Sequence, residues 1–142
     1  MARTRKIGIL LALLVCANAL AQETAEQHYR RGVDLGEQAM HASIFRRAGL
    51  AIKARQEFER AVQVDPDFID ARVALVEYYL RAPVFLGGSD HKAIAQAHEI
   101  MKRDPAEGHR AFALIYEHQK KHAEAAKELE MAAALDRQQS AQ

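Results

Sequence analysis

The chain has 142 residues, 49% hydrophobic and 27% charged, a balance that fits one folded domain and excludes a disordered or low-complexity protein. Its 20 Lys and Arg against 19 Asp and Glu leave a net charge of +1, which offers no electrostatic footprint for nucleic acid. A single cysteine excludes a disulfide framework, and the dominance of alanine, glutamate, arginine, lysine and leucine over β-branched runs points to an all-α fold.

Residues 1–21 are a different kind of sequence. Arg3, Arg5 and Lys6 precede an apolar run from Ile7 to Ala17, and Ala19-Leu20-Ala21 then supplies the small-x-small pattern of a signal-peptidase site. Eleven apolar residues cannot cross a bilayer core that takes about 20. A cleaved signal is expected, leaving no transmembrane span and placing the protein outside the cytoplasm, in the periplasm or secreted. Val15 before Cys16 lacks the small side chain that a lipoprotein site needs. Removing Arg3, Arg5 and Lys6 with the leader leaves 17 basic against 19 acidic residues, a net −2, and takes away the only cysteine.

From Gln22 to Ala42 the pattern predicts one helix, with Thr24 and Gln27 spaced as a capping box and Tyr29, Val33, Gly36 and Met40 close to one face. Gly32 sits in its interior, where close packing against the next helix explains a residue that otherwise weakens helices. Ile44, Phe45, Ala48, Ala51 and Ile52 keep helical spacing, so the turn falls between His41 and Gly49 and the second helix is long. Arg46, Arg47, Lys53 and Arg55 read as a solvated face, with contact to an anionic surface as the alternative. Ala54, Phe58, Ala61 and Val62 continue the helix until Asp65-Pro66 stops it.

Asp67 is placed to cap a third helix running to about Arg81. Pro83 and Gly87-Gly88 then make a loop, and Ser89 or Asp90 caps the fourth helix. Within the loop, Val84-Phe85-Leu86 either tucks against the hairpin or stays exposed for a partner, and tucking is the expectation. After Pro105, helices are predicted over Ala106 to Gln119 and Ala123 to Asp136 around a Lys120-Lys121-His122 turn. Residues 138–142 are expected to fray as a flexible tail.

One frame recurs along this chain. Ala54, Phe58, Ala61 and Pro66 have the same offsets as Ala93, Ala97, Ile100 and Pro105, and as Ala125, Leu129, Ala132 and Arg137. His109, Phe112, Ala113 and Tyr116 precede the last set, with Leu75, Val76 and Tyr79, and Arg31, Gly32 and Leu35, at corresponding places before the others. This pattern resembles the tetratricopeptide repeat family over residues 24–137. Ala82 to Ser89 is also similar to an Ala-Pro-x-x-x-Gly-Gly-Ser stretch of a subgroup of exported bacterial members. The resemblance implies three helical hairpins in a short right-handed α-solenoid over residues 22–137, with Phe58 and Leu129 buried between hairpins. It implies a concave groove near Tyr29, Arg30, Val33, Asp70, Val73, Glu77, Arg81, Arg110, Leu114 and Glu117. The residues after the leader contain no asparagine, so the family's clamp for carboxylate-terminated tails is not supported.

Catalytic chemistry is poorly represented. His118 and His122 stand four apart, but a zinc site needs further ligands, and neither an HExxH motif nor a cysteine cluster is present. No nucleophile elbow, P-loop or dinucleotide fingerprint occurs. The expected protein is therefore a non-enzymatic interaction module without cofactor or metal. It takes a protein or extended peptide in a groove of mixed charge, with Val84, Phe85 and Leu86 as a second contact. The alternative is a structural subunit that self-associates through hairpin end faces into a homo-oligomer. Intact mass of the exported protein checks the leader: it should begin at Gln22, and a mass retaining residues 1–21 would refute cleavage.

Overall fold

The computed structural model describes residues 23–141, so the leader and Cys16 lie outside the described residues. Among the described residues the protein is all-helical, with six α-helices, one 3₁₀ turn and no strand. Helix α1 (Ala25–His41) starts where Thr24 and Gln27 exchange bonds: the Gln27 N–H donates to Thr24 Oγ1 at 3.2 Å and the Thr24 N–H to Gln27 Oε1 at 2.8 Å. Two of the helix's orphan donors are thereby satisfied. Only Ala42 and Ser43 separate α1 from α2 (Ile44–Val64), which is 21 residues long and ends before Pro66.

Helix α3 (Ile69–Arg81) begins two residues after the residue expected to cap it. Asp67 instead turns its N–H onto Asp65 Oδ1 at 2.9 Å, and its carboxylate accepts from Arg103 at 2.6 Å. The turn around Pro66 is thus tied to the end of α4 (Asp90–Arg103). Ser89 caps α4, its Oγ accepting from the Lys92 N–H. Asp104 caps α5 (Pro105–His118) with Pro105 in the first turn, where its missing N–H leaves no intrahelical bond unmade. Helix α6 (His122–Ser140) follows Lys120, whose φ is 63°, and takes in residues expected to fray, as Ser140 Oγ donates to Asp136 O at 2.9 Å.

Each helix folds back on its predecessor. Contact is most extensive between α1 and α2 and between α5 and α6, and sparser between α2 and α3, while α3 also reaches α5. The core is made of small residues with a few large ones: Ala61, Ala71, Ala93, Ala97 and Ala125 are buried alongside Leu75, Val76, Ile100 and Ile115. Phe58 is buried as expected, but Leu129 is 51% exposed. Phe58 and Ala97 lie on helices against which the next helix packs, whereas among the described residues no helix follows α6, and Leu129 faces outward.

A polar pair recurs at each of three helix crossings. His28 Nδ1 lies 2.7 Å from Glu57 Oε2, Arg72 Nη1 donates to Gln96 Oε1 at 2.7 Å, and His109 Nδ1 lies 2.6 Å from Glu128 Oε2. His28, Arg72 and His109 each stand four residues before Gly32, Val76 and Ala113; Glu57, Gln96 and Glu128 each stand one residue before Phe58, Ala97 and Leu129. The sequence frame is therefore repeated as a contact. His28, Glu57 and Arg72 are buried, and Glu57 also accepts from Arg60 at 2.7 Å and Arg31 at 3.3 Å, so its charge is fully compensated.

The Phe58 ring of α2 lies directly against Gly32 of α1, since a Cβ there would lie 2.5 Å from Phe58 Cε1. Alanine ought to strengthen the helix by about 1 kcal/mol. The buried ring reverses that sign. Gly32→Ala should cost about 1–3 kcal/mol by overpacking, and Phe58→Ala about 3–5 kcal/mol. In the Phe58→Ala background Gly32→Ala should become neutral or stabilising in urea unfolding. Simple additivity would mean that the two positions do not meet.

Candidate binding groove

Three helix faces surround one cavity of about 910 Å³. Tyr29, Val33, Gly36 and Met40 recur at helical spacing along α1 and form one wall; Asp70, Val73, Ala74, Glu77 and Arg81 form the other on α3. Between them lies α2, contributing Ile44, Ala48, Ala51, Ala54 and Phe58. At 1.5 Å per residue the α1 wall from Tyr29 to Met40 is about 16 Å long, enough for three turns of a helix or a short extended segment. Phe85 and Leu86 close one end.

The aromatic end is fixed by ring contacts. Tyr29 packs edge-on against Phe68 at 5.3 Å and tilted against Phe58 at 5.9 Å between centroids. Carboxylates of Glu37, Asp70, Glu77 and Glu107 border the apolar surface, against the guanidinium groups of Arg47 and Arg81, the latter 3.4 Å from Glu77. Burial, and then the negative charges of Asp70, Glu26 and Glu77, hold the Tyr29 hydroxyl above its ordinary pKa. None of the lining side chains is a serine, cysteine, lysine or histidine. The surface suits burial of apolar side chains with charged contacts at the edge.

Of the residues expected at a groove, Tyr29, Val33, Asp70, Val73, Glu77, Arg81, Phe85 and Leu86 border this cavity. Arg30 does not; it is exposed and pairs with Glu26 at 2.6 Å. Arg110 is drawn between α5 and α6 by Glu107 at 2.9 Å and by Asp136, and the Glu117 carboxylate is 2.8 Å from His122 Nδ1. Leu114 lies on α5 with these two, away from the cavity lining. The physical reason is that α3 packs directly on α5, whereas α1 and α3 are spaced apart over the long α2. Missed by sequence reasoning were Met40, Ile44, Ala48 and Ala51. Their helical spacing was visible, but not that one side of it lacks a neighbour. Charges of both signs border the groove, as Glu37, Asp70, Glu77 and Glu107 stand with Arg47 and Arg81, while its bed on α2 is apolar, which sequence reasoning did not anticipate.

The loop between α3 and α4 is rigidly built. Val84–Leu86 form the 3₁₀ turn, Gly87 has φ 96°, and a Cβ on Gly88 would stand 1.7 Å from Ala82 O. Both glycines are therefore required by the turn. The Leu86 carbonyl accepts from Tyr78 Oη at 2.7 Å and the Ser89 N–H donates to Tyr79 O at 2.9 Å. Against expectation the apolar triplet does not tuck: Leu86 is half-buried while Val84 and Phe85 are exposed. Nor is Arg55 part of a solvated face. It donates to Glu59 at 2.8 Å and lies over the Tyr78 ring and against Gly87. Burial works against its charge, but Glu59 and the two tyrosines offset this and raise its pKa.

Among the described residues no three of His, Cys, Asp and Glu gather to hold a metal ion, and no helix is long and apolar enough to cross a membrane. The Tyr79 hydroxyl donates to Glu59 at 2.9 Å; burial and then this bond push its pKa up to about 12, from an ordinary 10.0. A pKa raised in the folded state contributes stability that is fully present below pH 10 and lost as pH climbs through the folded value. Unfolding midpoints should therefore hold to about pH 10 and fall between about pH 10 and pH 12. The fall should be shallower in Tyr79→Phe, and an unchanged profile in that variant would refute the assignment. Comparison with protein-family models, with curated proteins and with solved structures gives no match.

Proposed function

We propose that this is an exported, non-catalytic interaction module: three tetratricopeptide-like hairpins in a short right-handed solenoid that receives a segment of another protein in the groove between α1 and α3. Support for the repeat reading comes from the polar pair that recurs in register with the sequence frame at α1–α2, α3–α4 and α5–α6. The observation that carries the binding reading is the groove's composition. Aliphatic side chains from three helices line one concavity with charges at its border, and its lining has no nucleophile–base pair. Such a surface rewards burial of a partner's apolar side chains, while the bordering carboxylates and arginines set orientation. Periplasmic location follows from the expected leader, and no cofactor enters this reading.

One observation favours self-association through end faces instead, namely the half-exposed Leu129 on the outer side of the last helix. The two readings separate by photo-crosslinking in the producing cell. A photoreactive phenylalanine analogue at Val73 should give a discrete adduct with another protein, abolished when Ala51→Trp fills the groove, and the same analogue at Leu129 should give none. An adduct of twice the chain's mass from Leu129, with nothing from Val73, would establish self-association and sink the groove.

A further inference from the structure

The most exposed large apolar side chains of the described residues gather at one end of the molecule. Phe45 is 93% exposed, Val84 86% and Phe85 84%, and Ile44 and Met40 are also largely open. They belong to two turns, α1–α2 and α3–α4, that come together: Met40 and Ile44 from the first and Phe85 from the second border the same end of the groove. Phe45 and Val84, their chain neighbours, lie outside its lining. At this apolar tip Phe45 and Val84 thus stand proud of the concavity, while Phe85 borders its end with its ring largely exposed.

Charge at the tip has one sign. Residues 40–47 and 81–88 contain Arg46, Arg47 and Arg81 and no carboxylate. The nearest acids in sequence are Asp90, two residues past Gly88 and 3.8 Å from His118, and Glu37 and Glu77, one turn back along α1 and α3, with Glu77 3.4 Å from Arg81. Exposure of Val84 and Phe85 is also enforced, because Tyr78 fastens Leu86 and the Gly87-Gly88 turn admits no side chain at Gly88. Such protruding rings without a recess of their own gain little from a shaped protein surface. A fluid apolar phase accepts them, and guanidinium groups at their base meet phosphate.

We propose that this tip is a peripheral membrane-docking site, in which Phe45, Val84 and Phe85 enter the outer part of an anionic lipid leaflet while Arg46, Arg47 and Arg81 bind its phosphate headgroups. The groove opens beside the tip, so a docked molecule presents it along the membrane surface.

The test is sedimentation of the protein, purified as the cell produces it, with vesicles of phosphatidylcholine alone or mixed equally with phosphatidylglycerol. Binding is expected only to the mixed vesicles and should weaken with salt. Phe45→Ser with Phe85→Ser should lower partitioning by about tenfold or more, as should Arg46→Gln, Arg47→Gln and Arg81→Gln together. All five side chains are exposed, so melting temperatures should stay as in the wild type. Equal partitioning of wild type and the double serine variant would overturn the proposal, placing any binding elsewhere in the chain. So would equal binding to neutral vesicles, or a wild-type dimer in light scattering that the serine variant abolishes while neither binds lipid. The last result would assign the tip to a second copy of the chain.

Discussion

Register between neighbouring helices depends on the polar pair at each crossing. Alanine-rich helix faces offer many nearly equivalent ways to pack, because small side chains carry little shape with which to reject a displaced arrangement. His28 against Glu57 and Arg72 against Gln96 remove that freedom. A shift of one turn would leave a buried ionic or hydrogen-bonding group without its partner, at a cost of several kcal/mol, more than alanine packing alone could return. Gly32 and Phe58 add a steric key at the same crossing, the ring filling the space that glycine leaves. The pairs specify the arrangement more than they strengthen it.

Given that register, the groove follows from a mismatch in length. Helix α2 has 21 residues and α4 has 14, and the excess lies at the N-terminal end of α2. Ile44, Ala48 and Ala51 consequently extend along α1 past the region that α3 covers. Elsewhere α3 and α5 meet directly and bury their facing surfaces. Concavity here is an uncovered stretch of an ordinary helix interface, which is why its bed looks like core and its border like surface.

Much of this was legible from residue order. Helical period, the Thr24–Gln27 capping box, the proline stops and the frame around Phe58 placed all six helices to within a few residues and located the α1 and α3 walls. What failed shared a cause. Leu129 satisfies the same pattern as Phe58, yet it is half-exposed, because among the described residues no helix covers the outer side of α6. Arg110 has the chemistry of a binding residue, but Glu107 and Asp136 stand close enough to claim it. Val84 and Phe85 have the hydrophobicity of packed residues, and a backbone locked by Tyr78 and two glycines holds them outward. Periodicity reports which side of a helix is apolar; whether anything covers that side is decided by elements far away in sequence. The polar pairs were hidden for the complementary reason, since one histidine and one glutamate 29 residues apart have no local signature.

The arrangement of tyrosines gives the protein an optical property. It contains four tyrosines and no tryptophan, so nothing drains their excitation by energy transfer and near-ultraviolet emission belongs to tyrosine alone. Three of the four cluster where α1, α2 and α3 converge: Tyr29 and Tyr78 border the groove, and Tyr79 lies at an edge-on angle 5.9 Å from Tyr78 with its hydroxyl on a carboxylate, a known quencher. Unlabelled protein is therefore its own fluorometer, with a signal weighted toward the groove instead of averaged over the fold.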